Sequence, residues 1–233
     1  MSDRLKRLAA EAAAAAELKS GMRLGLGTGS TARHIVDIVG ERIKAGESFL
    51  CVPTSEVTRR QAESLAIPLT TLDAVETLDL TIDGADEFDE ALNLIKGGGA
   101  ALLREKIVAF ASRRMIVIAD QSKHVARLGS YPLPIEVVQF AHDATRRAII
   151  RAFSTLGMSC DARLRKTSEG AEVITDNGNL ILDCHTPGIP EPGLLAQSLS
   201  QLPGLVEHGL FIGLCSAAYL ATDEGVVVFG TKP

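Results

Sequence analysis

Short apolar runs alternate with amphipathic stretches along the first half of the chain. The runs that predict strands are MRLGLG, SFLCVPTS, IPLTTL, LDLTIDG, LNLIK and RMIVIAD. The stretches that predict helices are an amino-terminal one ending near Ser20-Gly21 and three others over about 32–45, 56–65 and 100–113. Because strands alternate with helices, the pattern indicates an α/β fold with a mainly parallel sheet covered on both faces.

The pattern changes near 129–134, in the segment GSYPLPIEVV. From there it predicts a strand, a helix over 143–156, two strands joined by TDNGN, a helix over about 192–202 and a strand near GLVEHGLF. Asn177-Gly178 is a strong signal for a hairpin turn. This order is the ferredoxin-like arrangement of a small α+β domain. The tail AAYLATDEGVVVFGTK predicts a hairpin that returns to the first domain.

Composition excludes several functional classes. The 233 residues carry a formal net charge of -5, 4% aromatic residues and no Trp, which disfavours a nucleic-acid binder. No run of about 18 apolar residues predicts a membrane span. We interpret the alanine-rich amino terminus as an amphipathic helix rather than a signal peptide, because Glu11 and Glu17 interrupt it. The four scattered cysteines predict reduced core residues, and the five histidines lack metal-ligand spacing.

The segment GLGTGST, residues 25–31, lies where the first strand becomes a helix. Its glycines allow close approach to a ligand, and the N–H groups at the helix start favour an anion. Thr28, Ser30 and Thr31 add hydroxyl groups. Nucleotide sites fit poorly, because no Lys follows as in a Walker loop and Ser30 stands where a dinucleotide fingerprint has its third Gly. The alternative is a tight turn with a Ser or Thr cap.

The segment DGADE closes the strand LDLTI, so Asp83 and Asp86 are expected at the carboxyl edge of the sheet, where open α/β folds bind ligands. Two alternatives remain open at this point. The aspartates could cap a turn, or they could hold Mg²⁺, although Lys96 would compete for the same carboxylates.

The segment IKGGGAALLREK repeats the order of strand, glycine loop and helix. Three successive glycines are costly in chain entropy, and close approach of backbone N–H groups to an oxygen-rich ligand is a sufficient reason for them. Glu105, taken alone, is typical of a solvated charge on a helix surface. Lys123, in ADQSK just past another strand, is by itself typical of a surface lysine.

Six segments, GTGSTA, DGADE, KGGGAALLREK, IADQSK, PLPIEV and TDNGN, stand in the order and at the spacings of one known family. Over essentially its whole length the sequence resembles ribose-5-phosphate isomerase A. The resemblance implies a Rossmann-like, mainly parallel α/β domain, which we assign to residues 1–130 plus 212–233, and a smaller ferredoxin-like α+β domain, which we assign to 131–211.

The resemblance also implies an activity. It is the interconversion of ribose 5-phosphate and ribulose 5-phosphate in the pentose phosphate pathway, without a metal or organic cofactor. A cytoplasmic homodimer or homotetramer is expected, with a small sugar phosphate as partner and neither nucleic acid nor membrane. The alternative is a sugar-phosphate-sensing domain of the same fold without catalysis.

Residue by residue, the resemblance makes Glu105 the proton acceptor and Lys96, Asp83 and Asp86 further catalytic groups. It implies substrate contacts for Thr28, Gly29, Ser30, Thr31, Asp83, Gly84, Ala85, Asp86, Lys96, Gly97, Gly98, Gly99 and Lys123. The sequence leaves open whether Lys6 or Arg7 lies near the phosphate, and whether Lys123 contacts the phosphate or the sugar hydroxyls.

Such an isomerisation passes through an enediolate and needs one carboxylate to move a proton and fixed donors where negative charge develops. We expect Lys96 and the amides of Gly97 to Gly99 to be those donors. Asp83 and Asp86 are expected to orient hydroxyls and assist opening of the furanose ring. The GTGST loop and Lys123 are expected to hold the phosphate.

Overall fold

The structure, a computed structural model, describes residues 3–230, which form two compact units. Unit 1 comprises the described residues up to Ala85, Arg104–His124 and those from Gly213 onward, and unit 2 comprises Asp86–Leu103 and Val125–Ile212. These ranges differ from the predicted domains in placing 86–103, 125–130 and 212 in the second unit. The domain assignment stays a prediction, and its residues 1–2 and 231–233 lie outside the described part of the chain.

Most of the helices and strands follow the order that the sequence pattern predicts. The helices are α1 (Asp3–Glu17), α2 (Ala32–Lys44), α3 (Glu56–Ser64), α4 (Leu102–Phe110), α5 (His142–Thr155) and α6 (Pro192–Leu199), and a 3₁₀ turn spans Gln121–Lys123. The strands are β1 (Arg23–Leu26), β2 (Leu50–Pro53), β3 (Leu80–Gly84), β4 (Glu87–Phe88), β5 (Leu94–Ile95), β6 (Met115–Asp120), β7 (Leu133–Val137), β8 (Asp161–Leu164), β9 (Leu180–His185), β10 (Leu205–His208), β11 (Leu210–Phe211), β12 (Cys215–Thr222) and β13 (Gly225–Gly230).

Unit 1 is built on a six-stranded sheet in the order β13-β12-β6-β3-β1-β2. The strands pair in parallel, except that β12 and β13 form the predicted antiparallel hairpin. The alanine-rich face of α1 is buried in the core of this unit, where Ala9, Ala10 and Ala13 are fully covered. Small side chains at these positions let the helix approach its neighbours closely. The mainly parallel α/β architecture is therefore confirmed.

One strand prediction is wrong, and another is confirmed only for two residues. IPLTTL contributes only an isolated bridge from Leu69 to Cys51, because Pro68 has no N–H to donate and Ala66 has a left-handed φ of 56°. LNLIK forms only the two-residue strand β5, which belongs to a three-stranded antiparallel sheet of unit 2 in the order β11-β5-β4. The left-handed Gly97, φ 111°, follows it closely.

Unit 2 contains a four-stranded antiparallel sheet in the order β10-β7-β9-β8. With α5 and α6 this is the predicted ferredoxin-like arrangement, and it is confirmed. Gly178 of the TDNGN turn has the left-handed φ, 79°, that such a turn requires. Side chains from the sheet and both helices, among them Phe153, Leu182 and Leu195, close a core within the unit.

A buried polar cluster ties α1 to β12 and to Arg114, the residue before β6. The carboxylate of Glu17 accepts hydrogen bonds from Arg114 at 2.8 Å and from the hydroxyl of Tyr219 at 2.8 Å. Burial alone would raise the pKa of Glu17, but these hydrogen bonds outweigh it and leave the pKa below its usual value. Burial raises the pKa of Tyr219 to about 12, and its bond to Glu17 acts in the same direction.

Tyr219→Phe is expected to lower stability at pH 7 by about 2 kcal/mol, because a buried hydrogen bond to a charged group is lost. An unfolded tyrosine loses its proton near pH 10, whereas folded Tyr219 keeps it up to about 12. Wild-type stability should therefore fall as the pH rises from 10 to 12. The variant should not show the loss of stability that Tyr219 contributes over this pH range. Urea unfolding followed by circular dichroism at pH 7 and 11 checks both results, and equal alkaline losses would contradict the assignment.

Within residues 3–230, no helix combines the length and the apolar character needed to cross a bilayer.

Candidate active site

Three of the predicted loops lie next to one another at one edge of the unit 1 sheet. Strand β3 is central and pairs in parallel with β1 on one side and β6 on the other. GTGST follows β1, and QSK follows β6. Strand β3 itself ends with Asp83 and Gly84, and Ala85 follows it. Since the carboxyl ends of parallel strands meet at the same edge, the candidate residues of unit 1 are brought together there.

Asp83 joins the GTGST loop to the end of β3. Its side chain is fully buried, and its Oδ1 accepts the N–H of Thr28 at 3.0 Å and that of Gly84 at 2.7 Å. A Cβ at Gly27 would lie 2.1 Å from Asp83 Oδ1. Only glycine lets the loop backbone come this near, as the sequence predicted for a close approach. The carboxylate is thereby fixed in orientation.

The side chain of Thr28 faces the protein rather than the outer side of the loop. Its Oγ1 lies 2.7 Å from the hydroxyl of Thr54, 2.8 Å from Ser55 and 3.1 Å from Thr58. Thr28 therefore anchors the loop through a four-hydroxyl cluster. Its predicted contact with substrate stays a prediction, and any such contact has to compete with this cluster.

The outer part of the loop is formed by Gly29, Ser30 and Thr31. Gly29 and Ser30 are exposed, and Gly29 has a left-handed φ of 113°. Thr31 occupies the N-cap position of α2, but its side chain makes no capping hydrogen bond. The alternative in which this hydroxyl serves as a helix cap is therefore not supported.

The structure distinguishes Lys6 from Arg7, its neighbour on α1. Lys6 Nζ donates to the hydroxyl of Ser30 at 2.7 Å. Arg7 instead pairs with Glu11 at 2.7 Å and Glu41 at 3.1 Å. Lys6 is thus the basic side chain of α1 that reaches the GTGST loop. Sequence spacing could not decide this, because the two residues are adjacent on one helix.

Glu105 is only 3% exposed, so its interpretation as a solvated surface charge is wrong. It lies in the first turn of α4, where the helix dipole favours negative charge. Ser112, just beyond this helix, contacts Thr81 in β3 at 2.7 Å, and a Cβ at Gly25 would lie 2.6 Å from Val108.

Ser112 places the end of α4 beside Thr81, whereas Arg104, near the start of α4, pairs with Glu56, the first residue of α3, which follows the carboxyl end of β2. Residues 105 and 112 are separated by about 10 Å along the helix axis. The distance along β3 from Thr81 to the end of the strand is similar. The amino-terminal end of α4 therefore lies level with the carboxyl edge. Its neighbour Arg104 points elsewhere and pairs with Glu56 at 2.9 Å.

The 3₁₀ turn after β6 holds Lys123 at the same edge. The buried Asp120 caps this turn, and its Oδ1 accepts the N–H of Ser122 at 3.0 Å and the Ser122 hydroxyl at 2.6 Å. Lys123 is half-buried, which is unlike an ordinary surface lysine. Asp120 was missed by sequence reasoning, although its place at the end of an apolar strand was a usable signal.

The remaining candidates lie in unit 2. The N–H of Gly98 donates to Asp86 Oδ2 at 2.7 Å, and a Cβ at Gly98 would lie 2.6 Å from Asp86 Oδ1 and 2.8 Å from the hydroxyl of Tyr131. The glycine loop thus does approach oxygen atoms closely, but here they belong to the protein. Because the Gly98 amide is already donated to Asp86, it is not available as a donor to an oxyanion.

Lys96 is 2% exposed, and its Nζ lies 5.6 Å from the ring centroid of Phe211. Its backbone N–H donates to the carbonyl of Gly209 at 2.9 Å. A cation held over an aromatic face in a buried place is fixed in position and weakly hydrated. Both properties suit a group that stabilises developing negative charge.

Three residues of unit 2 that sequence reasoning missed surround the glycine loop: Tyr131, Arg165 and Asp183. Arg165 donates to the carbonyl of Gly97 at 2.7 Å and is paired with Asp183. Nothing in the sequence singles them out, because they fall outside the glycine-rich segments and lie far along the chain from Gly97.

In the described part of the chain, no group of three or more His, Cys, Asp or Glu side chains is placed to hold a metal ion.

The fold and the polar groups together define an α/β protein with buried carboxylates and a donor-rich loop at the carboxyl edge of a parallel sheet. The sequence profile of the family described as Ribose 5-phosphate isomerase A (phosphoriboisomerase A) matches residues 50–225. The chain belongs to this family.

Individual proteins agree with the profile. A Ribose-5-phosphate isomerase A of Nitrobacter hamburgensis is 58% identical over 226 residues, which cover 97% of each chain. A ribose 5-phosphate isomerase structure from Plasmodium falciparum is 36% identical, covers 100% of both chains and superposes with a TM-score of 0.94. A D-ribose-5-phosphate isomerase solved in complex with phospho-erythronic acid is 37% identical, covers 99% of this chain and 100% of its own, and has a TM-score of 0.91.

Proposed function

We propose that this chain is an aldose–ketose isomerase that interconverts D-ribose 5-phosphate and D-ribulose 5-phosphate. The observation that carries the proposal is the burial of Glu105 at the amino end of α4, level with the edge that carries Asp83 and the GTGST loop. Membership of the family and the names of its relatives support the substrate. The relative that binds phospho-erythronic acid, a phosphorylated sugar acid, supports the same chemical class.

We assign the proton transfer to Glu105. After the furanose ring opens, its carboxylate takes the proton from C2 of the aldose and an enediolate forms; a hydroxyl proton then moves from O2 to O1, and the carboxylate returns its proton to C1. Lys96 stabilises the negative charge that develops on the oxygens, and we add the amides of Gly97 and Gly99 to this role. Asp83 and Asp86 orient hydroxyls and assist ring opening.

The phosphate is a remote handle in this scheme. We assign it to the outer part of the GTGST loop, to Lys6 and to Lys123. The contacts that bind the phosphate also hold the reacting carbons in place. Their binding energy therefore stabilises the transition state as well as the ground state. The reaction as written needs no metal and no organic cofactor.

The direct test incubates the purified protein with ribose 5-phosphate in deuterated water, with and without a chelator, and follows the product by NMR. We expect ribulose 5-phosphate at equal rates in both samples, with deuterium incorporated at C1 in proportion to solvent exchange. Absence of ketose contradicts the function, and loss of activity with chelator contradicts the cofactor-free reaction. The alternative of a non-catalytic sensor gains no support from the relatives, which carry isomerase names.

Lys6→Met is expected to raise KM for ribose 5-phosphate about tenfold or more with a smaller change in kcat, because one charge-assisted contact with the phosphate is lost. Steady-state kinetics measure both constants. Arg7→Met is the matched control, since Arg7 is the next residue of α1 but pairs with Glu11 and Glu41. Equal effects of the two substitutions would refute the assignment of Lys6 to the phosphate.

We also propose that the chain works in the cytoplasm as a homodimer or homotetramer. Phe110 is 81% exposed and Phe140 is 88% exposed, and apolar side chains of this size are covered in most assemblies. Sedimentation analysis of the wild type and of Phe110→Ser and Phe140→Ser tests this. A monomeric wild type would contradict the assembly, and fractionation of the source cells tests the location.

A further inference from the structure

A continuous chain of polar contacts runs through unit 2 from β9 to the glycine loop. Asp183 in β9 accepts two hydrogen bonds from Arg165, one from Nε at 2.9 Å and one from Nη2. The third nitrogen, Nη1, donates to the carbonyl of Gly97 at 2.7 Å and to that of Gly98 at 3.2 Å. The loop that carries the candidate catalytic groups is therefore held by an arginine outside every motif.

The geometry of the guanidinium explains why arginine is needed here. Its planar fork satisfies the Asp183 carboxylate with one edge, and this fixes the direction of the remaining nitrogen. The Arg165 side chain is 14% exposed and that of Asp183 is 21% exposed, so both charges are largely removed from water. A lysine has a single nitrogen and cannot keep both the carboxylate pair and the two carbonyl contacts in this geometry.

The contact at Gly97 reaches Asp86 through one peptide group. The carbonyl of Gly97 and the N–H of Gly98 belong to the same planar unit, which accepts from Arg165 at one end and donates to Asp86 Oδ2 at the other. In the same way, the carbonyl of Gly98 belongs to the peptide whose N–H is that of Gly99. A cation on these carbonyls fixes both peptide planes and polarises their N–H groups toward stronger donation.

The conformation of the glycine loop requires stabilising contacts from outside the loop. Gly97 has φ 111° and Ala100 has φ 58°, a left-handed conformation that is costly for a residue with a side chain. Glycines also leave the loop with many accessible backbone conformations in the absence of contacts. The hydrogen bond from Ala100 N–H to the Gly97 carbonyl, 3.0 Å, closes the turn but does not by itself orient Asp86.

We propose that Arg165 is a positioning residue of the isomerase, which holds Asp86 and the Gly98–Gly99 peptide in the orientation that the substrate requires. Asp183 acts one step further away, by holding the guanidinium. The inference rests on the proposed function, in which Asp86 assists ring opening and the Gly99 amide faces developing charge. Arg165 does not itself need to touch the sugar.

The test compares Arg165→Ala, Arg165→Lys and Asp183→Asn with the wild type. We expect kcat/KM to fall at least tenfold in both Arg165 variants, with a smaller fall in Asp183→Asn, because there the arginine remains but its fork loses a charged partner. Millimolar guanidinium ion added to Arg165→Ala should restore part of kcat by entering the vacated place. Arg163→Ala is the matched control, since Arg163 lies on β8 two residues before Arg165 and pairs with an aspartate, Asp161, but is 66% exposed.

The outcomes distinguish a positioning role of Arg165 from an effect on stability alone. They also distinguish failure of this inference from failure of the proposed function. Retention of kcat/KM within twofold in Arg165→Ala, or an equal loss in Arg163→Ala, would overturn the inference. So would a loss that guanidinium does not restore, or one fully explained by a smaller folded fraction in circular dichroism. If the wild type itself does not isomerise ribose 5-phosphate, the proposed function fails. The positioning role of Arg165 is then tested by measuring the affinity for phospho-erythronic acid by calorimetry. Weaker binding in Arg165→Ala than in Arg163→Ala then supports positioning, and equal binding contradicts it.

Discussion

Glu105→Gln is expected to lower kcat for ribose 5-phosphate isomerisation by about 10³-fold, because general base catalysis by a positioned carboxylate contributes on the order of 10² to 10⁴. Glutamine keeps the size of the side chain and its place in the first turn of α4. KM should therefore change little, since the proton acceptor contributes mainly to the transition state. A coupled assay for ribulose 5-phosphate measures both constants.

A matched carboxylate controls for loss of charge. Glu63, at 50% side-chain exposure, pairs with Arg59 on α3 of the same unit, and Glu63→Gln should leave kcat within twofold. Exchange of the C2 hydrogen with deuterated solvent adds a second readout, because removal of the acceptor should abolish exchange together with isomerisation. A Glu105→Gln variant with more than about a tenth of wild-type kcat would be incompatible with the proton shuttle.

Lys96→Met is expected to lower kcat by about 10²-fold or more, the size of effect seen when one fixed donor is removed from an oxyanion site. Methionine approximates the length of the lysine stem and can keep a contact with the Phe211 ring. The loss should therefore fall on catalysis rather than on folding. Single-turnover kinetics, with enzyme in saturating excess over substrate, isolate the chemical step.

Lys166→Met is the control for this substitution, because Lys166 is an exposed lysine of the same unit. Its kcat should equal that of the wild type. If Lys96→Met unfolds at a much lower temperature than the wild type, the measured loss has to be corrected for the folded fraction. A corrected loss below about threefold would remove Lys96 from the oxyanion role.

The periodicity of apolar residues and the positions of glycines were sufficient to predict most of the fold. The alternation of strands and helices predicted the parallel sheet of unit 1, and Asn177-Gly178 predicted a turn that the left-handed Gly178 confirms. The absent strand at IPLTTL and the short strand at LNLIK share one cause. Apolar β-branched runs resemble strands whether or not the backbone next to them can pair, and Pro68 and Gly97 limit that pairing.

For the candidate site, the sequence could predict the loops but not the directions of side chains. Placing Asp83 at a strand end required only the rule for parallel sheets, whereas the burial of Glu105 depends on which face of α4 lies toward the sheet. The choice of Lys6 over Arg7 depends on the rotation of α1. Arg165 could not be found at all, since its contact with Gly97 joins positions 68 residues apart.

The hydroxyl cluster around Thr28 has a consequence for the energetics of binding. Four hydroxyl groups hold the inner side of the GTGST loop in a fixed shape before any ligand arrives. The conformational entropy of this segment is therefore lost when the chain folds rather than when a ligand binds. Under the proposed assignment of the phosphate to this loop, less of the phosphate's binding energy is spent on ordering the loop, and more is left to hold the sugar carbons at which the carbon–hydrogen bond is broken.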